Sequence, residues 1–97
     1  MESLHNQQND RLFKAIMNIK NIDECYRFFE DICTIKELND ISQRLKVAEM
    51  LDKEISYNEI SKGTGASTTT ISRVNRCLTY GTGGYKEAID KLKGDLK

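Results

Sequence analysis

The sequence predicts an all-α chain with a helix-turn-helix in its second half, and three observations predict it. Apolar residues recur at 3.6-residue spacing along most of the 97 residues, and no proline interrupts them. A cap residue followed three positions later by Glu occurs at Asn21/Glu24, Thr34/Glu37 and Ser56/Glu59. Gly63 and Gly65 then fall between two short amphipathic segments, where glycine most readily turns the chain.

In chain order, the residues up to about Asn9 read as frayed. Leu12, Phe13, Ile16, Met17 and Ile19 mark a first amphipathic helix. Asn21 and Glu24 open a second, with Ile22, Cys25, Tyr26, Phe29, Ile32 and Cys33 as its buried arc. Phe28 lies off that arc and implies a second surface to cover. Thr34 and Glu37 open the longest helix, running to about Lys53, with Ile35, Leu38, Ile41, Leu45 and Ala48 on one face. Val47, Met50 and Leu51 spread apolar surface most of the way round its second half. A helix apolar on all sides must be enclosed, and the expectation is an obligate dimer with this helix central, the alternative being a monomeric bundle that covers it with the first and last helices. Arg44 falls within the apolar arc, where a guanidinium needs a partner. Snorkelling, an acid such as Asp40 or one from another subunit, and a bound carboxylate or phosphate each meet that need.

Ser56 with Glu59 caps a short helix from Tyr57, and Ser67 caps the next, which begins at Thr68. Ile71, Val74 and Leu78 form its inward stripe. Ile60 can meet Ile71 and Val74 only if the two helices cross over a small residue, and Ser61 and Ala66 are small. This is the pattern whose second helix enters the DNA major groove. Opposite the stripe stand Thr68, Thr69, Ser72, Asn75 and Arg76, with Arg73 at the edge. Hydroxyls, an amide and arginines suit base edges and phosphates. After Gly81, Gly83 and Gly84, a terminal helix carries Tyr85, Ala88, Ile89, Leu92 and Leu96 as a cover or dimer element. Those glycines follow no strand and lack a phosphate-loop layout.

Net charge is zero, but its distribution is not even. No Asp or Glu occurs from Ile60 to Lys86, where Lys62, Arg73, Arg76 and Lys86 are positive; residues 1–59 hold eight Lys/Arg against twelve Asp/Glu. A local basic face is enough to neutralise phosphates, and a dimer doubles it. The only histidine, His5, stands in the frayed end, and no metal-ligand spacing or catalytic constellation exists. The expectation is a non-enzyme with no metal. Cys25, Cys33 and Cys77 form no CxxC pair and read as buried free thiols in a reducing cytoplasm. No apolar run reaches the length of a membrane span, and MESLHNQQND has no signal-peptide core.

From Thr34 to Leu78, the segments TIKEL, SQRLKVAEML, ISYNEISKGTGAS and TTTISRVNRCL follow one another in an order that resembles the Trp repressor superfamily, within it the YerC/YecD branch. The resemblance implies a six-helix, intertwined homodimer built from one domain over residues 1–97. The helix-turn-helix would span about 56–79, and the dimerisation helices about 10–53 and 85–96. It also implies repression of transcription by binding double-stranded DNA. Asn58, Ser61, Ser67, Thr68, Thr69, Thr70 and Ser72 carry over as DNA-contacting positions, joined by Arg76 from the outward face.

The effector pocket carries over in part. Arg44 and Arg73 match the two arginines that flank the indole in the tryptophan-binding member, and Thr34 matches a further pocket residue. Val74 stands where that member has glycine, and Cys77 where it has serine. An isopropyl group at that place implies that tryptophan fits poorly, leaving either another small effector or none. The expected function is a sequence-specific, dimeric regulator, cytoplasmic and associated with the nucleoid. The alternatives are a helical protein–protein interaction module and a ligand sensor without direct DNA binding.

Overall fold

The computed structural model describes residues 3–95, so the terminal-stripe position Leu96 lies outside the described residues. These residues form six helices and no strand: α1 Gln7–Met17, α2 Ile22–Ile32, α3 Ile35–Asp52, α4 Tyr57–Thr64, α5 Thr68–Tyr80 and α6 Gly84–Asp95. The chain divides into two compact units, Met1–Leu38 and Asn39–Lys97, with the division inside α3.

The first unit is set by its caps. Asn6 accepts from the Asn9 amide at 2.8 Å, so α1 begins at Gln7 and the expected fraying as far as Asn9 does not occur. Asn21 caps α2 by accepting from the Glu24 amide at 2.9 Å, and its own side-chain amide donates to Glu24 Oε2 at 3.0 Å. Thr34 and Glu37 form a reciprocal capping box at the start of α3: the Glu37 amide donates to Thr34 Oγ1, and the Thr34 amide donates to Glu37 Oε1. Phe28 and Phe29 meet edge to face, with ring centroids 5.4 Å apart.

Burial in this unit differs from the sequence expectation. The arc on α2 is not buried within one chain: Ile22, Tyr26 and Ile32 are exposed, and Cys25 and Phe29 are half-buried. Phe13, Met17 and Ile35 are exposed as well. Every buried apolar residue among those described belongs to the second unit. The periodicity marks an apolar face, and one chain does not bury it.

The second unit holds the core. Val47 and Ala48 of α3, Ile60 of α4, Ala66 of the turn that follows it, Ile71 and Val74 of α5, and Ile89 of α6 are all buried, with Met50, Leu51, Ile55, Leu78 and Tyr85 packed against them. The second half of α3 is therefore enclosed within one chain, so its all-round apolar surface does not by itself call for the dimer expected from it. That helix ends in a Schellman arrangement: the Ile55 amide donates to the Met50 carbonyl at 3.1 Å and the Glu54 amide to the Leu51 carbonyl at 2.9 Å. Glu54 takes the left-handed position there, φ 62°. Two lysines of α6 close on the same end of α3, Lys86 Nζ at 3.0 Å and Lys93 Nζ at 2.8 Å from the Asp52 carboxylate. Alongside the apolar contact of Ile89, these pairs fix α6 to α3.

The cysteines also depart from expectation. Cys25 and Cys33 are half-buried and Cys77 is exposed, all as free thiols. Cys77 shares α5 with Val74, but it lies outside the inward stripe and so escapes the core.

Candidate nucleic-acid interface

Two short helices need a rigid turn if the second is to present a fixed face, and here side chains provide it. Ser56 caps α4 by accepting from the Glu59 amide at 3.2 Å. At the other end Gly65 adopts φ 75°, the left-handed conformation that glycine takes without a Cβ clash. Gly63, expected to share the turn, instead lies inside α4. The turn backbone is then satisfied group by group. Thr64 Oγ1 donates to the Ile60 carbonyl at 2.7 Å and accepts from the Ala66 amide at 3.1 Å. Ser61 Oγ donates to the Ala66 carbonyl at 2.9 Å, and the Gln43 side-chain amide reaches from α3 to the Thr64 carbonyl at 3.1 Å. Half-buried backbone groups that would otherwise lose hydrogen bonds are thereby paired.

The second helix, α5, is rich in Thr and Ser, which have modest helix propensity. Its geometry therefore depends on the cap and on its buried stripe. Ser67 Oγ accepts from the Thr70 amide and donates to Thr70 Oγ1, both at 3.1 Å. Ile71 and Val74 are buried in one core cluster with Ile60 of α4 and the small Ala66 of the turn.

The expected DNA-contacting residues divide into two groups. Asn58, Thr68, Thr69, Ser72 and Arg76 are exposed, and their side chains make no hydrogen bond or ion pair among the described residues. Ser61, Ser67 and Thr70 spend hydroxyl bonds on the turn and the cap, and Ser61 and Thr70 are half-buried. Arg73 is exposed beside this face. Lys86, counted from the sequence as part of the positive stretch, is instead paired with Asp52 and lies 3.6 Å from Asp90. Its contact with Asp52 raises the lysine pKa. The unpaired cations of the acid-free stretch are Lys62, Arg73 and Arg76.

A separate groove of about 630 Å³ opens between α3, α5 and α6. Ile41, Arg44 and Leu45 of α3 line it, with Cys77 of α5 and Tyr85 and Ala88 of α6. Gly81 also lines it, and no side chain fits there: a Cβ would stand 2.3 Å from the Cys77 carbonyl oxygen. Arg44 is half-buried and has no ion-pair partner among the described residues, so the pairing with Asp40 considered from the sequence does not form. Arg44 and Cys77 thus come together, whereas Arg73 does not line the groove. Thr34 lies in the first unit, where its hydroxyl serves the capping box. Val74 is 1% exposed, belongs to the core and is not among the residues that line this groove.

Sequence reasoning missed Gln43, Thr64 and the Asp52 clamp, because partners distant in sequence leave no periodic signal. Among the described residues no cluster of His, Cys, Asp and Glu has the form of a metal site, and no helix is long and apolar enough to cross a membrane.

The geometry agrees with comparison to known proteins. Residues 7–93 match the family model of the Trp repressor protein. The uncharacterized protein YerC of Bacillus subtilis (strain 168) is 48% identical over 93 residues, which cover 96% of this chain and 89% of that protein. The crystal structure of a TrpR-like protein from Eubacterium eligens superposes with a TM-score of 0.90 at 50% identity, covering 93% of each chain. A crystal structure from Staphylococcus aureus gives a TM-score of 0.89 at 43% identity, covering 93% of this chain and 90% of that one. The chain belongs to the Trp repressor family, in its TrpR-like YerC branch.

Proposed function

We propose that the chain is a sequence-specific, DNA-binding transcriptional repressor that acts as a homodimer, in the cytoplasm and associated with the nucleoid. The observation that carries this reading is the outward face of α5. Thr68, Thr69, Ser72 and Arg76 are exposed with their hydrogen-bonding groups unspent, on a helix whose turn is pinned by five side-chain bonds' worth of local pairing. No carboxylate occurs from Ile60 to Lys86 to repel a phosphate backbone. Membership of a family of regulators, rather than enzymes, supports the same reading.

The homodimer rests on a second observation. Met17 and Ile22 are 82% and 72% exposed in one chain, on the helices α1 and α2, which have no buried residue of their own. Isolated apolar residues are ordinary on a surface, but a run of them along two amphipathic helices marks an interface. A second copy offers the same apolar face, and a two-fold axis lets each cover the other.

The groove beside Arg44 supports a small-effector reading alongside DNA binding. A half-buried guanidinium without a partner, at the edge of an apolar groove, suits a ligand with a carboxylate or phosphate and an apolar body. Arg44 and Cys77 line this groove, and Arg73 and Thr34 stay further candidates for such contacts on the resemblance.

Selection of bound fragments from a random duplex library tests the function directly. A dimer of this kind recovers an inverted repeat with half-sites roughly one helical turn apart, on the order of 34 Å. Recovery of no duplex at low salt would remove the DNA-binding reading and leave a protein-interaction module in its place.

A further inference from the structure

Next to the turn of the helix-turn-helix lies a second, polar groove of about 420 Å³, formed by Asn39, Ser42, Gln43 and Lys46 of α3 with Gly63 and Thr64 of α4. The α3 residues follow one another at helical spacing, so they form a single stripe along that helix. None of the lining residues is acidic. Lys46 is exposed and makes no ion pair or hydrogen bond among the described residues. Glu49, three positions further along α3, does not pair with it, and Asp40 has an interaction of its own. Gln43 already satisfies the Thr64 carbonyl, so nothing at the end of α4 engages the lysine.

We propose that Lys46 extends the nucleic-acid interface from α5 onto α3 by holding a backbone phosphate beside the bases that α5 reads. This rests on the DNA-binding reading and deepens it. Thr64, on the wall of this groove, stands four residues before Thr68, the first residue of α5. Four residues span at most roughly 14 Å of backbone, so the groove adjoins the start of the reading helix. Lys62, next in sequence to Gly63 of the groove, is exposed as well. An acid-free polar groove lined by an exposed ammonium group fits a phosphate chain better than an apolar ligand or a base edge. The lysine contributes affinity without sequence preference.

The salt dependence of duplex binding is the test, with wild type, Lys46→Gln and Lys46→Arg compared on a selected and a random-sequence duplex. Lys46→Gln should lower affinity by the same factor on both duplexes, about three- to tenfold near 0.1 M salt. The slope of log K against log salt should fall by about 0.9 for each protomer engaged. Lys46→Arg should retain the wild-type slope. Helicity and dimer mass should not change, because the side chain is exposed. An unchanged slope for Lys46→Gln, with wild type binding normally, overturns this inference alone. A loss confined to the selected duplex also overturns it, since that would be base readout. Absence of wild-type binding to either duplex overturns the DNA-binding reading along with it.

Discussion

The side-chain amide of Gln43 donates to the carbonyl of Thr64 at 3.1 Å, joining α3 to the turn across 21 residues of chain. The bond links the core helix to the segment that aims α5. Replacing Gln43 with Ala leaves a half-buried carbonyl unpaired, at a cost of about 1 kcal/mol. For a chain of this size that is a fall in melting temperature of roughly 4–8 °C. The larger consequence is expected in function, because a looser turn spreads the orientations of α5. Thermal melts and duplex titration of Gln43→Ala should show affinity falling by more than stability alone accounts for.

The two glycines near the turn should respond in opposite ways. Gly65 has φ 75° and open space around its would-be Cβ, so a side chain there meets a conformational penalty rather than a collision. Gly65→Ala should destabilise by about 1–2 kcal/mol. Gly63 is helical, and a Cβ would meet Met50 Cε at 3.5 Å, an ordinary contact. Gly63→Ala should therefore raise stability by roughly 0.5–1 kcal/mol. Denaturant titration of both variants decides this, and equal effects would mean that the turn is placed differently.

Asp52 predicts a pH dependence with a definite sign. Hydrogen bonds first from Lys93 and then from Lys86 hold its carboxyl below the ordinary 3.8, although the carboxylate is partly exposed at 12%. A lowered pKa in the folded chain means stabilisation that is present above the unfolded value and lost as pH falls through the folded one. The melting temperatures of wild type and Asp52→Asn should differ at neutral pH and converge below about pH 4. Both lysines are more than half exposed, so the difference should also shrink in high salt.

Much of this architecture is legible in the sequence because caps and periodicity are local. Asn21, Thr34, Ser56 and Ser67 each sit at a helix start, and Ile60, Ile71, Val74 and Ile89 are all core. What the sequence does not disclose is pairing at a distance. Lys86 looks like part of a basic stretch until Asp52, 34 residues earlier, is found beside it. Ser61 and Thr70 read only as DNA-contacting candidates in the sequence, and the structure adds that their hydroxyls are also bonded within the turn and the cap. Periodicity also marks an apolar face without saying what covers it, as Ile22 and Ile32 of α2 illustrate.

The groove beside Arg44 yields a prediction about tryptophan. Val74 stands where the tryptophan-binding member has glycine, and its side chain is packed in the core. Calorimetry with free tryptophan should detect weak binding or none, and tight, saturable heat would refute this. Arg44→Ala should abolish the response to any acidic small effector while leaving effector-free duplex binding unchanged.

The exposed apolar faces of α1 and α2 provide the remaining test. If a second copy covers them, the species in solution should have about twice the 11.1 kDa of one chain at micromolar concentration. Ile22→Glu places a charge on a residue that is 72% exposed in the single chain, where such a change should be nearly harmless to a monomer. In a dimer it buries an unpaired carboxylate at the interface, a several-kcal/mol penalty on association. Sedimentation should then show the variant dissociating, with duplex affinity collapsing because two half-sites no longer engage together. A variant that keeps the wild-type mass would mean that α2 faces solvent and that its apolar stripe has another partner.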